Sequence, residues 1–122
     1  MVTAITAGAD AACAPLGGGG VDCWGDNLYG ELGNGTSSGP ETCGEGNGET
    51  ACSTTPVAVS GITNAIAITA GGHDARALLA GGGVDCWGDN YYGELGNATS
   101  SGPQTCYLTV CSTTPVAVIG FP

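Results

Sequence analysis

Residues 2–7 (Val-Thr-Ala-Ile-Thr-Ala) and 65–70 (Ala-Ile-Ala-Ile-Thr-Ala) alternate apolar and polar side chains with period two. That is the pattern of a half-buried strand. Glycine punctuates both, at Gly8 and at Gly71-Gly72, and apolar runs at 11–16 and 75–79 supply a second strand. Gly17 to Gly20 and Gly81 to Gly83 then form hairpin turns, since glycine accepts the positive φ such turns need. Residues 21–24 and 84–87, rich in Val, Cys and Trp, predict a third strand. A fourth covers 56–59 and 115–118 and opens with proline, which suits the first position of a strand. The chain therefore reads as all-β, with two sets of four antiparallel strands over residues 1–64 and 65–122.

The two sets are copies. Residues 21–34 return at 84–97 with Leu28 replaced by Tyr91 as the only change, an offset of 63 positions. Residues 52–59 return unchanged at 111–118, where the offset is 59, so the second copy lost four residues between the blocks. A repeat of this length implies a solenoid, propeller or array, whose units rarely bury a core alone. Within the first block, residues 24–34 and 87–97 form dense turns, in which Asp and Asn bond their own backbone and Gly supplies positive φ. Leu32 and Leu95 are expected to turn inward and plug the space between units.

Hairpin register can be read from the same pattern. Folding about Gly18 sets Cys13 opposite Cys23, and folding about Gly81 sets Arg76 opposite Cys86. Opposed positions lie about 4.5–5.5 Å apart, within disulfide reach, so Cys13–Cys23 is a candidate bridge. Cys43 and Cys52 bracket eight residues, and Cys106 and Cys111 bracket four, at the same place in each repeat. A loop-closing disulfide tolerates that length change, whereas a metal cage would not. Cys86 is then the odd thiol: either a reactive or intermolecular cysteine beside Arg76, or a small buried hydrophobe. Seven cysteines in 122 residues suit an oxidising compartment.

Three spaced motifs carry a resemblance to a known family. Gly71-Gly72-His73 through Leu78-Leu79, Trp87-Gly88-Asp89-Asn90 through Gly96, and Pro115-Val116 occur in order, with counterparts in the first half. This pattern resembles the regulator of chromosome condensation repeat, and the Cys-Trp-Gly and Thr-Pro-Val-Ala-Val variants look like those of secreted bacterial members. The resemblance implies β-propeller blades of four strands, usually seven to a ring. The first repeat departs from the family pattern. Ala9-Asp10 stands where Gly-His is expected, and Pro15 falls inside the second strand, which it should weaken or confine to an edge.

Composition narrows the function. One basic residue against eleven acidic ones gives a net charge of −10, which repels phosphates and disfavours nucleic acid. No apolar run reaches the roughly 20 residues of a membrane span. No signal peptide precedes the first repeat, so Met1 reads as a start placed before an excised segment or a processed subunit. Asp22, Asp26 and Glu31, with Asp85, Asp89 and Glu94, raise the question of calcium. Their spacing fits no EF-hand, and turn chemistry accounts for Asp26 and Asp89, so no cofactor is expected. His73 is the sole histidine, and neither a Gly-x-Ser-x-Gly elbow nor a His-Glu-x-x-His motif occurs. No enzymatic activity is expected.

Two blades cannot close a ring, and each bare apolar flank marks an interaction surface. The expectation is a structural, self-assembling module at the cell surface or outside the cell. It would be part of a longer propeller, or would associate blade to blade with its own copies. Three copies would give a six-bladed ring, four an eight-bladed one, and a rotation that fails to close a filament. The alternative is a protein-binding module or inhibitor that uses the loops at 36–52 and 99–111. The first of these carries Glu41, Glu45 and Glu49. Tyr91, Tyr92, Tyr107 and Leu108 would be the anchors, since aromatics dominate hot spots. Asn34 and Asn97 head glycosylation sequons at equivalent sites, explained as well by the repeated turn.

Overall fold

The computed structural model describes residues 1–44 and 48–120. Ten strands form two five-stranded antiparallel sheets, and no helix occurs among the described residues. The first sheet holds β1 (Thr6–Ala7), β2 (Ala11–Pro15), β3 (Val21–Asp26), β4 (Glu41–Cys43) and β5 (Thr50–Ala58) in the order β1-β2-β3-β5-β4. The second holds β6 (Ala65–Ala70), β7 (Asp74–Leu79), β8 (Val84–Asp89), β9 (Gln104–Cys106) and β10 (Thr109–Ala117) in the equivalent order. Each is a propeller blade of four main strands. The short fifth strand comes from the polar excursion, which the sequence pattern marks only as loop.

Register follows the hairpins. Cys13 pairs with Cys23 and Arg76 with Cys86. β1 is shorter than its alternation suggests, and the pairing resumes only at an isolated Val2–Leu16 bridge. Pro15 does not make β2 an edge: β2 lies between β1 and β3, and Pro15 ends it opposite Val21. At a strand's end the missing N–H interrupts nothing, while the Pro15 carbonyl still accepts from the Thr3 N–H at 3.1 Å.

One core serves both blades. Val21, Cys23, Leu32, Val59 and Ile62 of the first blade cluster with Ala65, Ala75, Ala77 and Trp87 of the second. Trp87 is fully buried, and its indole N–H donates to the Glu31 carbonyl at 2.8 Å. Removing an indole from water takes away on the order of 200 Å², a gain of up to about 5 kcal/mol at about 25 cal/mol per Å². Backbone hydrogen bonds add to the seam, from Ala65 N–H to the Gly19 carbonyl and from Gly35 N–H to the Thr113 carbonyl, both 2.9 Å. Leu32 lies in this shared cluster, whereas Leu95 is equally buried but outside it.

Gly33 is what lets the indole approach. Its φ is +64°, and a Cβ there would sit 2.8 Å from Trp87 Nε1 and 2.9 Å from Val59 Cγ1. Gly33→Ala is therefore expected to lower the unfolding free energy by about 2–4 kcal/mol, the sum of left-handed strain and overpacking. Urea unfolding measures this, and a loss below about 0.5 kcal/mol would show that Trp87 is not held as described.

Candidate functional site

The repeated turn after β3 and β8 is built around a buried asparagine. Asn27 Oδ1 accepts the Leu32 N–H at 3.1 Å, and Nδ2 donates to the Thr36 and Gly39 carbonyls at 2.8 and 2.7 Å. Asn90 does the same with Leu95, Thr99 and Gly102 at 3.1, 2.9 and 2.7 Å. Both asparagines are fully buried, so each loop is tied internally rather than by solvent. The sequence marks them only as turn formers, although an Asn follows Trp-Gly-Asp in both copies. Asp26 and Asp89 cap the same turns by accepting the N–H two residues on, from Leu28 and Tyr91, both at 3.1 Å.

This turn carries the polar lid of the blade junction. Glu31, only 3 % exposed, accepts the Tyr29 N–H at 2.8 Å through Oε1 and lies 3.3 Å from His73 Nδ1 through Oε2. The Tyr29 ring packs on the His73 ring at 4.6 Å. Burial, with the Asp26 charge adding to it, pushes the Glu31 carboxyl up to about 8. At neutral pH the contact with His73 is thus a hydrogen bond to a protonated carboxyl rather than an ion pair. Asp10, Asp26 and His73 also bring one donor atom each within 4.8 Å of one another. Three donors fall short of the six to eight oxygens calcium takes, and Asp22, Asp85, Asp89 and Glu94 stand outside that trio.

The outer edge carries the loops. Disulfides join Cys13 to Cys23, Cys43 to Cys52 and Cys106 to Cys111, with Cα separations of 4.0, 5.9 and 5.8 Å. The last two clamp β4 and β9 to the long strands beside them. Glu41 reinforces the clamp by accepting the Thr54 N–H at 2.6 Å, bonds that hold its carboxyl below the usual range. Gln104 takes the same place against Thr113 at 2.7 Å. Glu49 is exposed, and Glu45 lies outside the described residues.

Tyr107 and Leu108 are the two turn residues between β9 and β10, 65 % and 82 % exposed, and Tyr107 has a φ of +53°. A bulky residue in that region is strained by about 1–2 kcal/mol, so the hairpin tip presents an aromatic ring at a cost. Tyr91 and Tyr92 are exposed and pack edge to face at 4.8 Å. Cys86 is free and buried, and its burial raises the thiol while Arg76 partly offsets that. Arg76 itself is paired with Asp74. A buried thiol of this kind packs rather than reacts. Asn34 Oδ1 lies 3.5 Å from Asn27 Nδ2, and the buried Asn97 Oδ1 has no hydrogen-bond partner.

The sheets, the disulfide-clamped loops and the indole seam define a pair of β-propeller blades. Residues 2–31 match the Regulator of chromosome condensation (RCC1) repeat, and the second half repeats their Trp-Gly-Asp-Asn turn. Yeast RCC1 (Prp20), solved bound to Kap60, superposes with a TM-score of 0.72 at 21 % identity over 98 % of this chain and 25 % of its own. Prp20p from Saccharomyces cerevisiae gives 0.70 at 20 % identity over 98 % of this chain and 26 % of its own. Human WBSCR16 gives 0.70 at 20 % identity over 97 % of this chain and 25 % of its own. The chain spans about a quarter of the length of these structures, and the likeness establishes the fold. No curated protein sequence matches the chain.

The buried Glu31 makes the junction sensitive to pH. Its carboxyl titrates near 8 in the folded chain against 4.5 unexposed to the fold, so the folded state keeps a proton the unfolded state releases. Its stabilising contribution is complete below about pH 4.5 and is lost as pH rises through about 8. Thermal melts are expected to show stability falling over that window, and Glu31→Gln to flatten the fall. A melting temperature with the same pH dependence in both proteins would contradict the burial of this carboxyl.

Proposed function

We propose that the chain is a non-catalytic structural module of a secreted or surface-displayed protein, which works by joining further blades of its own kind while its disulfide-closed loops face outward. The single observation that supports this most is the fully buried Trp87 indole on the Glu31 carbonyl. The first blade completes its core by accepting a tryptophan from the second. The three disulfides favour an oxidising setting. The net charge of −10 disfavours nucleic acid as the partner.

A second reading rests on the strained, exposed Tyr107–Leu108 tip. In it the loops at 36–52 and 99–111 bind another protein, and the structural neighbours offer a precedent of kind. One was solved bound to Kap60, and another is described by its binding properties to Gsp1p and histones. Sedimentation over a concentration series separates the readings. Assembly predicts species heavier than the 11.8 kDa chain, increasing with concentration. A chain that stays at that mass throughout would favour the loop reading.

A further inference from the structure

The repeat supplies an internal control, because identical residues occur once inside the blade junction and once at an open flank. Trp87 is fully buried, while its counterpart Trp24 is part-exposed. Thr113 is 4 % exposed, and its counterpart Thr54 is exposed. A Cβ on Gly30 would meet the Ser112 carbonyl at 3.1 Å, yet one on Gly93 would meet nothing within 4 Å. Tyr29 packs on His73, whereas Tyr92 is 84 % exposed. On blade one the segment 30–35 is covered by Trp87, Ser112 and Thr113. On blade two the equivalent segment borders an open cleft of about 480 Å³ lined by Gly93, Gly96, Ala98, Thr99, Ser100 and Ile119.

We propose that this cleft receives Trp24 of a second copy, so that copies join head to tail through a repetition of the internal junction, and that Asp10 limits the strength of that joint. The proposal rests on the assembly reading above and names its interface. The Trp24 N–H would donate to the Glu94 carbonyl as Trp87 does to that of Glu31, with Ser53 and Thr54 covering Gly93. The open flanks differ from each other, which makes the contact heterologous. The occupant is a copy of this chain because the chain itself carries both halves of the joint.

One position does not repeat. Inside the chain His73 meets Glu31 at 3.3 Å. Between copies Asp10, which stands in the place of His73, meets Glu94. Asp10 already has Asp26 and His73 of its own copy within 4.8 Å. Asp89, the exposed Tyr92 and the Arg76-paired Asp74 stand with Glu94 on the other side. Carboxylates outnumber cations there, so joining the copies takes up protons, and the joint tightens as pH falls and loosens as it rises.

The test is self-association of the full chain by sedimentation, in chelator, at about pH 5 and about pH 7.5, with three variants. Trp24→Phe, which loses the donor, and Gly96→Ala, whose Cβ would press on Val118 Cγ1 at 3.0 Å and so disturb the wall of the cleft, are each expected to weaken association at least about tenfold. Thermal melts of both variants establish whether each still folds, and only a folded variant is compared. Asp10→His, which restores the internal pairing between copies, is expected to strengthen association at about pH 7.5 at least about tenfold and to reduce its pH dependence. Association that ignores Trp24→Phe and Gly96→Ala overturns the interface while leaving assembly standing. Association that weakens in those variants but responds neither to pH nor to Asp10→His overturns the role of Asp10. A chain that is monomeric in every form and at both pH values overturns the interface and the assembly reading together.

Discussion

The structure depends on one side chain of the second blade entering the first. The Trp87 indole fills the space between sheets and satisfies its N–H on the Glu31 carbonyl, so one residue supplies both apolar burial and a buried hydrogen bond. An unpaired indole N–H at this depth would cost about 1–3 kcal/mol, which fixes the rotation of one sheet against the other. The absence of a side chain at Gly33 makes the approach possible. The seam thus needs a large residue on one blade and none on the other.

The turns serve the seam. Asn27 ties residues 32, 36 and 39 into one rigid loop, which holds Leu32 and Gly33 where Trp87 meets them. The acidic residues that resemble a cation site are mostly caps: Asp26 and Glu31 each accept a backbone N–H within the same turn. The strongly perturbed Glu31 carboxyl is a consequence of its place beneath His73 in the seam, and buried ionisable groups of this kind accompany structural junctions as well as active sites.

The outer edge varies in length as well as in chemistry. The frame of residues 21–34 recurs at 84–97 with a single change, while the disulfide loops differ by four residues in length and in nearly all their chemistry. Glu41 and Gln104 show how that freedom is contained, since each makes the same bond to a threonine of the neighbouring strand despite the change of charge. Loops of this kind on a rigid scaffold are where specificity can differ between members of a family.

The sequence by itself determined the repeat, the all-β class and the hairpin registers that oppose Cys13 to Cys23 and Arg76 to Cys86. These rest on period and offset, which are local properties of the chain. It also marked the 36–52 and 99–111 segments as variable, though not that each contributes a short strand, because β4 and β9 exist only through pairing with β5 and β10. Pro15 showed the reverse: a residue that argues locally for an edge sits in an inner strand, since its position at the strand's end removes the conflict. Only the tertiary structure decided that Trp24 and Trp87, identical in their local sequence, stand in different surroundings. Burial at a seam is a property of what lies alongside a strand, and for Trp87 that partner is 56 residues away in the chain.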